Sequence, residues 1–123
     1  MKPLKVLVVE DNITISSLLA DIFKREGWQV FTAMDGPAGV ETAQRELPDA
    51  IVLDVMIPRM DGFEVCRTLH SDAKTSHIKI IMLTALNRKI DIEAAKAAGA
   101  SDYVIKPFDT RKLIKKIQQL VRP

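Results

Sequence analysis

Residues 4–12 read LKVLVVEDN, an apolar run from Leu4 to Val9 that ends abruptly in Glu10 and Asp11. Three further runs end in the same way. Ala50 to Leu53 leads into Asp54, Ile78 to Leu83 into Thr84, and Tyr103 to Ile105 into Lys106. Short runs that are rich in Val and Ile and nearly continuous in apolarity read as strands buried on both faces. If they lie parallel, their C-terminal ends share one edge of a sheet. Three carboxylates, a hydroxyl and an ammonium then meet in one small site.

The chain alternates between such runs and helical segments. Strands are expected over about Lys5 to Val9, Trp28 to Ala33, Ala50 to Asp54, Lys79 to Thr84 and Asp102 to Ile105. Ile15, Leu18, Leu19, Ile22 and Phe23 follow helical spacing, and Gly27 stops that helix. Gly39, Val40, Ala43 and Leu47 mark a second, ended by Pro48. Asp61 with Glu64 three residues later has capping-box spacing, and Val65, Cys66 and Leu69 form the inner face of the helix it opens. Leu113, Ile114, Ile117, Leu120 and Val121 give the last helix an apolar stripe. The fourth helix, about Lys89 to Ala98, presents Ala94, Ala95, Ala97 and Ala98 as its inner face. Alanine favours helix but buries little area, so this helix is expected to be the least firmly anchored. Strands alternating with helices imply a parallel sheet covered on both faces, with ligands bound beyond the carboxyl ends of the strands.

At 123 residues, 47% hydrophobic and 28% charged, the chain reads as one soluble globular domain. No apolar stretch reaches the length of a membrane span, so no membrane partner is expected. Met1-Lys2-Pro3 leads straight into a strand, without a signal peptide. Cys66 is the only cysteine, which excludes an internal disulfide and agrees with a cytoplasmic location. A net charge of +2 does not call for direct nucleic-acid binding. The late basic residues Arg111, Lys112, Lys115, Lys116 and Arg122 read as a solvated helix face.

The residues at the strand ends carry the chemistry. Glu10, Asp11 and Asp54 would repel one another without a counter-ion, and Mg²⁺ suits hard oxygen ligands. Glu10 and Asp11 also read as an exposed loop pair, with Asp11 or Asn12 capping the next helix. Asp54, directly after an apolar strand, reads either as a nucleophile attacking phosphorus or as a turn residue. Lys106 can pair with Asp54 at rest and with a phosphoryl oxygen later. The Lys106-Pro107 bond is a candidate cis peptide. Thr84 can donate its hydroxyl to a phosphoryl oxygen or simply finish a strand.

The set Glu10-Asp11, Asp54, Pro58, Asp61-Gly62, Thr84-Ala85, Tyr103 and Lys106-Pro107-Phe108, in this order over all 123 residues, resembles the receiver domain of bacterial two-component response regulators of the chemotaxis-regulator type. The resemblance implies one receiver domain over residues 1–123. It implies a doubly wound five-stranded parallel sheet of order 2-1-3-4-5 with five helices, the flavodoxin-like receiver fold. It also implies that Asp54 accepts a phosphoryl group from a phosphohistidine of a sensor histidine kinase or histidine phosphotransfer protein. The Mg²⁺ (or Mn²⁺) of that reaction would be held by Asp11, Asp54 and the main-chain carbonyl of Met56, with Glu10 acting through water. Thr84 and Tyr103 would then be the switch residues, moving the surface of the fourth helix, fifth strand and fifth helix toward a downstream target or an output domain. The chain itself would be a phosphoacceptor rather than an enzyme acting on other molecules.

Several positions are this chain's own. In receivers the residues two past the acceptor and two past the threonine set phosphoryl lifetime; here they are Met56 and Leu86, apolar side chains that imply slow self-dephosphorylation. Lys112 and Lys116 stand where one transcription-factor class carries a complementary charge pair, so that class's dimer is disfavoured. His70 and His77 are expected at the surface, away from the site, and Cys66 in the core.

Three other readings fit less well. An Mg²⁺-dependent aspartyl phosphatase needs Asp-x-Asp at its nucleophile, but Asp54 is followed by Val55 and Met56. A flavin carrier needs an acid-free phosphate loop, which Glu10-Asp11-Asn12 is not. A receiver-like scaffold without phosphorylation ordinarily lacks a site residue, and none is missing.

Overall fold

The computed structural model describes residues 2–122. Strands β1 (Lys5–Val9), β2 (Gln29–Ala33), β3 (Ala50–Leu53), β4 (Lys79–Thr84) and β5 (Asp102–Ile105) alternate with helices α1 (Ile13–Arg25), α2 (Gly36–Glu46), α3 (Gly62–Ser71), α4 (Lys89–Ala98) and α5 (Thr110–Val121). The strands form one sheet of order β2-β1-β3-β4-β5, and every neighbouring pair is parallel.

Alternate strand residues feed two cores. Leu7, Val9, Ile51, Leu53, Ile80 and Met82 meet the inner faces of α2, α3 and α4. Val6, Val8, Val52, Ile81 and Leu83 meet Leu19 and Phe23 of α1 and Leu113 and Ile117 of α5. The central strands are therefore apolar at consecutive positions because both of their faces are covered. Burying such side chains contributes about 1.5–3 kcal/mol each relative to exposure.

Local chemistry fixes most element ends. Asn12 Oδ1 accepts from the N–H groups of Thr14 and Ile15 at 3.0 and 3.1 Å, capping α1. Asp35, Asp61 and Asp109 cap α2, α3 and α5. β2 starts one residue later than expected, because the Trp28 N–H turns back to the Phe23 carbonyl in the turn that closes α1. The β3 ladder ends at Leu53, although the Asp54 N–H still reaches the Val9 carbonyl at 3.0 Å.

Three side-chain placements differ from expectation. Leu47 lies beyond α2 in the left-handed region, φ 48°, and its side chain is 46% exposed. Pro48 disfavours a helical residue before it, so the chain turns out of the helix there. Ala97 is exposed, and the inner face of α4 consists of Ala95, Ala98 and Asp91. At the start of α3 only the Asp61 half of the expected capping box is formed, Oδ1 accepting from the Glu64 N–H at 2.9 Å. Lys116 is matched within the chain, its ammonium 3.0 Å from Asp102 of β5.

Candidate functional site

The C-terminal ends of β1, β3, β4 and β5 bring Glu10, Asp11, Asp54, Thr84 and Lys106 to one edge of the sheet. Glu10 and Asp54 are buried, Asp11 is exposed, and one carboxylate oxygen of each lies within 4.8 Å of the others. Three converging carboxylates on a rigid strand edge are the donor set that a hard divalent cation takes.

Lys106 stands among these carboxylates. Its Nζ lies 2.9 Å from Asp54 Oδ2 and 2.5 Å from Glu10 Oε1. The Asp54 contact follows from the strand-end reading; the Glu10 contact does not. Burial raises the Glu10 pKa above the ordinary carboxylate value, and the bonds from Lys106 and the Asn12 N–H only partly offset it. For Lys106 burial opposes the charge, but hydrogen bonding to Glu10 and Asp54 outweighs it and raises the pKa. The lysine thus stays charged and holds two acidic groups apart from each other's repulsion.

The acceptor strand is held close by its loop. Asp54 Oδ1 accepts from the Met56 N–H at 3.1 Å, leaving the Met56 side chain 53% exposed beside the site. The Gly62 N–H donates to the Val55 carbonyl at 2.8 Å. A Cβ on Gly62 would stand 2.5 Å from the Asp54 carbonyl oxygen, so only glycine lets α3 start this near the site.

Across the site, Thr84 is fully buried, and its Oγ1 accepts a long bond of 3.4 Å from the Leu86 N–H. Leu86 is half-buried and packs against the α2–α4 core. The Tyr103 hydroxyl donates to the Leu86 carbonyl at 2.8 Å, which ties β5 to the loop after β4. Lys106-Pro107 is cis, as expected.

Sequence reasoning missed Arg88 and Asp91. Asp91 is buried at the start of α4 and accepts from both the backbone and the guanidinium of Arg88. The signal was present as a polar residue followed by an acid three positions later, but arginine is not a residue that ordinarily opens a capping box. His70 and His77 are exposed, as expected, and the His70 ring lies against Gly99 rather than near the carboxylates. Cys66 is buried in the core, and burial pushes its thiol pKa up to about 11. Among the described residues, no helix is long and apolar enough to cross a membrane.

Comparison with known proteins agrees with this geometry. The family model of the response regulator receiver domain matches residues 6–118. Response regulator PleD of Caulobacter vibrioides is 43% identical over 118 residues, covering 96% of this chain. The chain spans about a quarter, 26%, of that relative's length. Chemotaxis response regulator CheY4 of Vibrio cholerae superposes with a TM-score of 0.90 at 32% identity, covering 97% of this chain and 99% of that one. The receiver domain of sensor histidine kinase PA1611 from Pseudomonas aeruginosa PAO1, solved with a magnesium ion in its active-site cleft, gives 0.91 at 30% identity and covers 99% and 100%. With its five-stranded parallel sheet and its acidic edge facing one lysine, the chain belongs to the response regulator receiver domain family of two-component systems.

Proposed function

We propose that this chain is a phosphoacceptor switch, in which Asp54 takes a phosphoryl group from the phosphohistidine of a sensor histidine kinase or histidine phosphotransfer protein. The observation that carries the reading is the meeting of Asp54 with Glu10, Asp11 and Lys106 at one strand edge. An Asp54 carboxylate oxygen forms a bond to phosphorus as the bond from phosphorus to the histidine nitrogen breaks, and the imidazole leaves with that electron pair. The product is an acyl phosphate.

Asp11, Asp54 and the Met56 main-chain carbonyl would hold a Mg²⁺ ion (or Mn²⁺), with Glu10 contributing through water. That ion supplies neutralisation of charge on the phosphoryl oxygens. The chain's own groups do the rest. The Met56 N–H orients Asp54 by its bond to Oδ1. Lys106, already beside Asp54 Oδ2, has only to follow the phosphoryl oxygens as they arrive. In its long contact with Leu86 the Thr84 hydroxyl accepts, so its proton is left to donate to a phosphoryl oxygen. Tyr103 then shifts with the loop it is bonded to. The surface of α4, β5 and α5 changes as a result, and through it a downstream protein or an output domain is controlled. The chain assists its own phosphorylation and slow dephosphorylation and acts on no other substrate. We place it in the cytoplasm, as one receiver domain over residues 1–123.

Incubation with acetyl phosphate and Mg²⁺, read as added phosphoryl mass, tests the reading. Wild type gains one phosphoryl group and Asp54→Asn none; equal labelling of the two overturns it.

A further inference from the structure

Four helices begin with an Asn or Asp that caps them, at Asn12, Asp35, Asp61 and Asp109. α4 begins with Arg88, whose side chain cannot accept a bond from the helix. The cap residue is instead held by an acid of the helix's first turn. Asp91 Oδ2 accepts from the Arg88 backbone N–H at 3.2 Å and from its Nε at 3.0 Å, and Oδ1 accepts from Nη2 at 3.1 Å. The Asp91 side chain is only 7% exposed, while that of Arg88 is 71% exposed. Every side-chain hydrogen bond of this buried carboxylate therefore goes to one residue, in the two-pronged geometry that favours arginine over lysine. Arg88 at the helix N-terminus opposes the helix dipole and Asp91 in the first turn favours it, so the pair adds little to the helix through the dipole.

Arg88 closes the loop that starts at Thr84. Within that loop Leu86 is held on both sides, its N–H by the Thr84 hydroxyl and its carbonyl by the Tyr103 hydroxyl. After burial, the charge of Asp91 also raises the Tyr103 pKa above the ordinary phenol value. We propose that the Arg88–Asp91 pair is a positioning clamp for Tyr103: it fixes the far end of the Thr84–Arg88 loop, and so sets where the Leu86 carbonyl stands to receive the phenol. Arg88 and Asp91 touch no reacting atom; they act through Leu86 and Tyr103. The effect on phosphorylation rests on the phosphoacceptor reading above, but the clamp itself is a property of the unphosphorylated chain.

Tyr103 is the single tyrosine and Trp28 the single tryptophan, so each reports alone. Fluorine NMR of protein labelled with 3-fluorotyrosine, without phosphodonor, reads the clamp. Trp28 fluorescence checks that each variant is folded. Arg88→Ala, which removes an exposed side chain, is expected to move the Tyr103 resonance toward that of free fluorotyrosine. Asp91→Asn should move it in the same direction, and Arg88→Lys should recover part of the shift. Lys89→Ala, on the next residue, should leave it in place. In the phosphodonor assay Arg88→Ala should change the rate of Asp54 labelling by roughly two- to fivefold, the scale of one partly exposed ion pair. A folded Arg88→Ala protein whose Tyr103 resonance stays at the wild-type position overturns the clamp, even if its melting temperature falls. A shifted resonance in a chain that takes no phosphoryl group would leave the clamp standing and remove the phosphoacceptor reading.

Discussion

The ammonium of Lys106 lies 2.5 Å from a carboxylate oxygen of Glu10, a residue 96 positions earlier in the chain. The same nitrogen also binds Asp54, so one cation serves two buried acids. Removing it leaves both uncompensated. Lys106→Ala should lower stability in metal-free buffer by about 1–3 kcal/mol, the cost of leaving buried polar groups unsatisfied. Glu10→Gln added to Lys106→Ala should recover part of that loss, because it removes one of the two stranded charges. Urea unfolding followed by Trp28 fluorescence measures the cycle. Strict additivity of the two substitutions would show that the residues do not interact.

Met56 is 53% exposed beside Asp54, and its thioether, no donor and only a weak acceptor, holds a water poorly. Leu86 is equally apolar but is partly spent on core packing. The phosphorylated protein should therefore lose its phosphate slowly in Mg²⁺ buffer, and Met56→Asn should shorten its lifetime by offering an attacking water a partner. Intact-mass time courses decide this. Loss of phosphate from wild type within seconds would contradict it.

Much of this was readable in the chain. The strands of the sheet centre announce themselves because both faces are covered, so Val6 to Val9 and Ile51 to Leu53 are apolar without interruption. Reactive residues at the ends of such runs can only gather at one edge once the strands are parallel. Contacts set by three-dimensional packing were not readable. Nothing local marks Glu10 as a partner of Lys106. Nothing local marks Asp91 as buried under Arg88. Leu47 fits a helical stripe by spacing, but the proline after it sends the backbone elsewhere.

That backbone feature gives a stability prediction. Leu47 holds φ 48° and ψ 60°, a conformation that costs a residue with a Cβ roughly 1–2 kcal/mol. Its exposed side chain returns little burial. Leu47→Gly should raise stability by about 1 kcal/mol, read as a higher denaturant midpoint with an unchanged slope. A lower midpoint would mean that the Leu47 side chain contributes more than its exposure implies.

Tyr103 gives the pH dependence. Burial first, then the charges of Asp91 and Asp54, raise its pKa above the ordinary phenol value, which is about 10. The folded chain therefore keeps the phenolic proton to higher pH than the unfolded chain. This contribution to stability is complete below the unfolded value and is lost as pH rises through it toward the folded value. Ultraviolet titration of tyrosinate in the native protein should give a midpoint above that of the denatured protein. Equal midpoints would contradict the burial of the phenol against the Leu86 loop.

The most direct measurement of the central claim locates the phosphoryl group chemically. Borohydride reduces an aspartyl phosphate to homoserine, which tandem mass spectrometry places in the sequence. After treatment with acetyl phosphate and Mg²⁺, homoserine is predicted at position 54 and nowhere else. Homoserine at position 11, 5-hydroxynorvaline (the alcohol from a glutamyl phosphate) at position 10, or phosphate found only on hydroxyl side chains with residue 54 still aspartate, would contradict the account.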